Sequence, residues 1–111
     1  MEKSKTLILI EIIDYIPNAV AIKTIMKKTT GNVRLVAIDA GETLAEKTSA
    51  FDTFIQIIEG VAQVNIDEKS DVLKTGECII IPAHAANNVK AIERFKMIST
   101  IIKSGYEATS V

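Results

Sequence analysis

The chain has 111 residues, the length of one small domain, so a second hydrophobic core is excluded. Apolar residues make up 48% and charged residues 24% of the sequence, which excludes a disordered or fibrous protein. The formal net charge of −1 leaves no basic excess of the kind that nucleic-acid-binding domains carry. The single cysteine, Cys78, excludes an intramolecular disulfide and a cysteine-based zinc site, and the apolar residues that follow it predict a small buried side chain.

The chain begins with a segment that is predicted to form a strand at residues 7–10 and then a turn. Glu11 interrupts the apolar run, and residues 11–16 are compatible with one helical turn before Pro17. The run is too short for a signal peptide, which needs about 7–15 residues, and for a membrane helix, which needs about 20. A cytoplasmic protein with a reduced cysteine and no membrane partner is therefore expected.

Turn-forming residues then recur at short intervals between runs rich in isoleucine, valine and threonine, which is typical of a β-sandwich or barrel. The runs at 22–28 and 33–39 flank a Thr-Thr-Gly-Asn turn and predict a hairpin. The runs at 53–58 and 62–66 flank a second tight turn, in which Gly60 supplies the unusual backbone angle.

The second half of the chain continues with short strands. Residues 72–73 predict a short strand, and residues 88–92 alternate weakly between apolar and polar. The apolar run at 77–81 predicts a strand that is buried on both faces. Residues 95–103 are largely apolar on both faces, so this strand is expected inside the structure. No amphipathic helical pattern of useful length occurs, and the predicted helix content is below about one-sixth of the chain.

The order of glycines and prolines resembles two motifs of the cupin superfamily. The first motif, G-x5-H-x-H-x3/4-E-x6-G, has its outer glycines at Gly41 and Gly60. The second motif, G-x5-P-x-G-x2-H-x3-N, has its first glycine and its proline at Gly76 and Pro82. Over residues 22–103, most of the chain, the sequence is similar to the small single-domain conserved-barrel proteins of the cupin 2 type.

The resemblance implies an all-β fold, a cupin-type jelly roll or double-stranded β-helix barrel, in a single domain spanning residues 1–111. Residues 1–21 are expected to form an N-terminal strand and turn segment, 22–103 the barrel core, and 107–111 a frayed tail. A homodimer is expected by analogy with compact cupins, and because the apolar segment 7–13 exceeds what one small barrel needs to cover itself.

The metal-ligand positions of the two motifs carry other residues in this sequence. The two histidine positions of the first motif fall on Lys47 and Ser49, and the glutamate position falls on Thr53. The histidine position of the second motif falls on Asn87, and its asparagine position on Ala91. An ammonium has no lone pair, and hydroxyl and amide groups are poor ligands for Mn, Fe, Ni or Zn. The resemblance therefore implies a barrel without a metal or other cofactor.

His84 is the only histidine in the chain and stands where the second motif has a glycine. It is the obvious candidate for a metal ligand, but a metal site needs about three protein ligands. Two other interpretations remain open. His84 is a partly exposed loop residue near the barrel mouth, or it contacts a bound ligand by hydrogen bonding.

Several polar residues lie near the barrel mouth in this alignment. The candidate ligand-binding residues are Lys47, Ser49, Asp52, Gln56, His84 and Asn87. Lys47 is expected to point into the barrel, where it pairs with Asp52 or Glu46, binds an acidic ligand or, with a strongly depressed pKa, forms a Schiff base. Gln56 lies in the middle of a strand, and its amide needs a polar partner if it faces inward and none if it faces solvent.

The resemblance favours a metal-free cupin-like domain that binds or senses a small ligand in its barrel over an enzyme. One alternative is a small metal-independent or metal-dependent enzyme of the isomerase, epimerase or dioxygenase type, with Lys47, Asp52 and His84 as acid–base groups. The other alternative is a purely structural dimer whose pocket is filled by side chains.

Overall fold

A computed structural model describes residues 1–46 and 48–103 as two antiparallel sheets packed face to face. The strands are β1 (Val20–Lys28), β2 (Gly31–Ile38), β3 (Thr43–Glu46), β4 (Thr53–Glu59), β5 (Val61–Ile66), β6 (Lys69–Lys74), β7 (Cys78–Ile81), β8 (Asn87–Ala91) and β9 (Phe95–Ile102). The five-stranded sheet, sheet A, has the order β1-β2-β9-β4-β7, and the four-stranded sheet, sheet B, has the order β3-β8-β5-β6. The helical structure in these residues is one 3-10 turn, Leu9–Glu11. The predicted all-β jelly roll with little helix is confirmed, and the tail at 107–111 lies outside the described residues.

The main core lies between the two sheets, because every second residue of a strand points to the same face. Val36 and Ile38 of β2 face it, while Leu35 and Ala37 of the same strand face away from it. The main core consists of Val36, Ile38, Ile55, Ile57, Ala62, Val64, Leu73, Ile81, Val89, Ala91, Phe95 and Met97. Removing this apolar surface from water, at about 25 cal/mol per Å², is the chief force that holds the sheets together.

The N-terminal segment does not form the predicted strand at residues 7–10. It crosses the outer face of sheet A, where Ile13 packs with Leu35 and Ala37 in a small apolar cluster of the same domain. That part of the outer face is apolar, so an irregular segment that covers it is favoured over a strand with no partner. The N-terminal apolar residues that motivated the homodimer prediction are thus partly used to cover their own barrel.

The turn at Gly60 is a corner between the two sheets and not the turn of a hairpin. β4 belongs to sheet A and β5 to sheet B, and the two strands do not pair. Gly60 has a φ of +90°, and a Cβ at this position would collide with the carbonyl oxygen of Arg94. The predicted β1–β2 hairpin is confirmed, with Lys28 paired to Gly31.

The predicted burial of both faces of residues 77–81 is wrong. β7 is an edge strand of sheet A that pairs with β4, and the side chain of Ile80 is 60% exposed. Cys78, predicted to be buried, is free and exposed. By contrast, β9 lies at the centre of sheet A between β2 and β4, and Phe95 and Met97 are buried as expected of an interior strand.

Within the two described ranges, no helix has the length and apolar character required to cross a membrane.

Candidate functional site

The two motif regions meet at a small cavity inside the barrel. The cavity encloses about 10 Å³ and is lined by Leu44, Thr53, Ile55, Ile81, Asn87, Val89, Met97 and Ser99. Thr53 reaches it from β4 of sheet A and Asn87 from β8 of sheet B. The glutamate position of one motif and the histidine position of the other therefore meet at the same cavity. Since one water needs roughly 10–15 Å³ of such space, the cavity has room for about one water molecule.

The polar groups around the cavity are neutral. Thr53 and Ser99 contribute hydroxyls and are 6% and 1% exposed. The Asn87 amide donates from Nδ2 to the carbonyl oxygen of Ala85 over 3.2 Å, so it is partly engaged within its own loop. None of these groups carries a charge or titrates near neutral pH. The cavity can therefore hold a water or a hydroxyl group, but it offers no acid–base pair.

The residues present at the ligand positions do not fit the metal that the two cupin motifs hold. Sites for Mn, Fe, Ni or Zn are built from imidazole and carboxylate groups, and Thr53 and Asn87 supply neither. Among the described residues, no cluster of three or more His, Cys, Asp or Glu side chains could hold an ion. Lys47, at the first histidine position, lies outside the described residues.

His84 lies in the loop between β7 and β8 and is exposed. Its φ of +67° lies in the left-handed region that favours glycine, and glycine is the residue that the second motif has at this position. Its backbone N–H donates to the carbonyl oxygen of Ser49 over 2.6 Å, which ties the two loops of the barrel mouth together. The structure thus places His84 at the mouth, on the outside of the barrel.

Two aspartates hold the loop between β7 and β8 in place. Asp52 Oδ1 accepts from the backbone N–H of Ala83 over 2.8 Å, and Asp67 Oδ1 accepts from that of Ala86 over 3.1 Å. The backbone N–H of Asp67 also donates to the carbonyl oxygen of Ala86 over 2.8 Å. The sequence predicts Asp52 as a mouth residue. It does not predict Asp67, because a position in the turn between β5 and β6 gives no sign of a contact with a later loop.

The other predicted site residues are separated by the fold. Ser49 is half-buried at the mouth, and its hydroxyl accepts from the backbone N–H of Phe51 over 3.1 Å. Gln56 is not at the mouth: it lies on the outer face of sheet A, and its Nε2 donates to the carbonyl oxygen of Gly76 over 3.2 Å. The reason is the strand period of two, since Ile55 and Ile57 on either side of Gln56 are buried in the main core.

A charged cluster that the sequence does not reveal lies under the N-terminal segment. Tyr15 donates its hydroxyl to Glu59 Oε2 over 2.6 Å. Lys96 is 7% exposed, lies 3.9 Å from Glu59 Oε2, and donates to the carbonyl oxygen of Ile10 over 2.5 Å. The guanidinium of Arg94 lies 4.6 Å from the centre of the Tyr15 ring. Burial, followed by the hydrogen bond to Glu59, raises the pKa of Tyr15 well above its ordinary value. Lys96, the one charged residue of β9, is the only sign of this cluster in the sequence.

An open groove lies beside the barrel mouth, between the β5–β6 turn and the edge strand β7. It measures about 610 Å³ and is lined by Ile66, Asp67, Glu68, Lys69, Asp71, Ile79, Ile80 and Pro82. Ligand pockets typically measure about 300–1,000 Å³ and combine an apolar surface with a few polar groups. The groove has that size and composition, and the cavity inside the barrel does not.

The fold is similar to that of several solved structures. No protein-family model matches the sequence, and no curated protein matches it. A conserved protein of unknown function from Streptococcus pyogenes has a TM-score of 0.87 and 22% identity, over 95% of this chain and 92% of that chain. A cupin superfamily protein from Desulfitobacterium hafniense has a TM-score of 0.85 and 22% identity, over 92% of this chain and 94% of that chain.

A larger enzyme shares the same arrangement of strands. A mutant salicylate 1,2-dioxygenase from Pseudoaminobacter salicylatoxidans has a TM-score of 0.71 and 18% identity, over 82% of this chain and 27% of that chain. At these identities the similarity concerns the fold, and one fold carries many unrelated functions.

Proposed function

We propose that this chain, which has the cupin fold, is a metal-free binding domain and not a metalloenzyme. The observation that carries the proposal is the cavity of about 10 Å³ at the position where the motifs would hold a metal. Thr53 and Asn87 stand there in place of glutamate and histidine. An enzyme needs titratable groups within hydrogen-bond reach of its substrate, and the described residues that line this cavity include none.

The groove beside the mouth is a better place for a small ligand than the barrel interior. A ligand inside the barrel would have to displace side chains such as Met97 and Asn87, whereas the groove is open. Its apolar wall includes Ile66 and Ile79. The described lining has three acidic residues, Asp67, Glu68 and Asp71, and one basic residue, Lys69. An apolar wall beside an acidic rim favours a small organic molecule with an apolar body and a cationic group.

We expect small aliphatic and aromatic amines to shift the backbone NMR signals of residues 66–71 and 79–82. The Glu68→Lys variant reverses a charge at the groove and should weaken these shifts. Glu93→Lys, which reverses an exposed charge outside the groove lining, should leave them unchanged. Ligand-induced shifts confined to Thr53, Asn87 and Ser99 would instead place binding in the barrel interior and contradict the assignment to the groove.

A further inference from the structure

A basic cleft lies at the end of sheet A where the turn between β1 and β2 meets the residue that follows β9. It measures about 690 Å³, and every described residue that lines it is a lysine or a threonine: Lys27, Lys28, Thr29, Thr30 and Lys103. We call these five exposed residues the basic cleft. The whole chain has a net charge of −1, so three ammonium groups with no carboxylate among them are a local excess of positive charge.

The three lysines are not neutralised by carboxylates of the described residues. None of the ion pairs between those residues includes Lys27, Lys28 or Lys103. Asp52, which lies at the same end of sheet A, accepts at Oδ1 from the backbone N–H of Ala83 instead. Like charges that lie close together repel one another, so an added anion stabilises this arrangement.

Backbone pairing holds the lysines close together. Lys28 pairs with Gly31 and Gly31 with Ile102, so β1, β2 and β9 end side by side. The backbone N–H of Lys103 donates to the carbonyl oxygen of Thr30 over 2.6 Å, which fixes the residue after β9 against the turn. Two strand spacings of about 4.8 Å place the backbones of Lys28 and Ile102 roughly 10 Å apart. This is about one Debye length at physiological salt, so the fields of the lysines on the two strands reinforce one another.

A second cleft adjoins the basic cleft and shares Lys28 and Thr30 with it. It measures about 250 Å³, and its apolar lining includes Met26, Val33 and Ile102. We call it the apolar cleft. Met26 is 55% exposed and Ile102 is 61% exposed, so the described chain leaves this apolar surface open. A ligand with an anionic group among the lysines can therefore rest an uncharged body on these two side chains.

We propose that the two clefts together bind a small organic phosphate, a monoester with an apolar body. A phosphate monoester carries a charge of roughly −1.5 to −2 at neutral pH and offers three acceptor oxygens. Lysine binds phosphate as a point charge, and the hydroxyls of Thr29 and Thr30 are donors for the remaining oxygens. A carboxylate carries one charge and would balance less of the charge of three lysines. The site is separate from the groove beside the mouth, whose acidic rim favours a cation.

A titration of the full chain with hexyl phosphate, followed by backbone NMR, tests the proposal. The signals of residues 26–33 and 100–103 should shift. The dissociation constant should rise when sodium chloride is raised from about 50 mM to about 500 mM, because salt screens exposed charges. Hexanol lacks the anion and inorganic phosphate lacks the apolar body, so each should bind at least about fivefold more weakly than hexyl phosphate. Hexyl phosphate that binds no more tightly than either of these probes would overturn the proposal.

Substitutions of single lysines test the basic cleft. Lys28→Gln and Lys103→Gln should each raise the dissociation constant of hexyl phosphate roughly threefold, and the double variant roughly tenfold, since exposed charge pairs contribute little each. Lys90→Gln is the matched control: Lys90 is exposed on β8 of sheet B, outside both clefts, and this variant should bind like the wild type. All these side chains are exposed, so circular dichroism should be unchanged. Equal binding by the wild type and the double variant would overturn the proposal.

Two comparisons separate a soluble phosphate from a lipid headgroup, and this site from the groove. Co-sedimentation with vesicles of phosphatidylcholine and phosphatidic acid, without an NMR response to hexyl phosphate, would overturn the proposal in favour of a membrane surface. Amine binding in the groove is measured on the signals of residues 66–71 and 79–82, and phosphate binding on those of 26–33 and 100–103. A failure of the proposed function and a failure of this site can therefore be told apart.

Discussion

Single residues in this barrel are placed by contacts between distant parts of the chain. Thr53 and Asn87 can be found from the sequence because the glycines and proline of two motifs fix their spacing. The sequence leaves the orientation of Gln56 open, because an isolated polar residue in a strand does not reveal which face is buried, and the structure places it on the outer face of sheet A. The contact of Tyr15 with Glu59 and that of Lys96 with Ile10 could not be predicted, since residues 44 and 86 positions apart meet only after folding.

The half-buried Tyr15 predicts a loss of stability at alkaline pH. The pKa of Tyr15 is raised above its ordinary value of 10, so the folded protein keeps the phenol proton after the unfolded chain has released it. The unfolded state then binds fewer protons, and the free energy of unfolding falls as the pH rises through about 10. Urea denaturation at about pH 8 and about pH 11 should show a larger decrease for the wild type than for Tyr15→Phe. Equal decreases in the two proteins would contradict the role assigned to this residue.

At the level of strands, the sequence predicts where the chain turns better than it predicts which strands become neighbours. The β1–β2 hairpin is recognised from local residues alone, since Lys28 and Gly31 flank its turn. Gly60 is correctly recognised as a turn, but a positive φ suits a hairpin and a corner between sheets equally. The edge position of β7 is not predicted because an apolar run gives no sign of strand order, which depends on the path of the whole chain.

The corner at Gly60 predicts that substitution by alanine lowers the free energy of unfolding more at Gly60 than at Gly41. Gly41 has a φ of +82° with open space around it, so Gly41→Ala should cost about 1–2 kcal/mol of backbone strain. Gly60 has a similar φ of +90°, and its added Cβ would also collide with the backbone of Arg94 and Phe95. Gly60→Ala should therefore lower the free energy of unfolding by at least about twice as much, measured by urea denaturation. A similar cost at both sites would show that the corner tolerates a side chain.

The whole molecule retains the skeleton of a cupin barrel while the space inside it is filled. Thr53, Asn87 and Ser99 are the polar residues that line an interior cavity of about 10 Å³, and apolar side chains make up the rest of the lining. The open groove beside β7 lies outside the barrel. In the proposed function, this groove binds the ligand and the packed interior stabilises the fold.

Elemental analysis of the protein, purified without a histidine tag, tests the proposed absence of a metal most directly. Lysine, serine, threonine and asparagine at the ligand positions of the motifs predict far less than one equivalent of Mn, Fe, Ni or Zn per chain. One equivalent of any of these metals that is lost in the His84→Ala or the Asn87→Ala variant would contradict the account, because it would show that the barrel mouth or interior holds a metal after all.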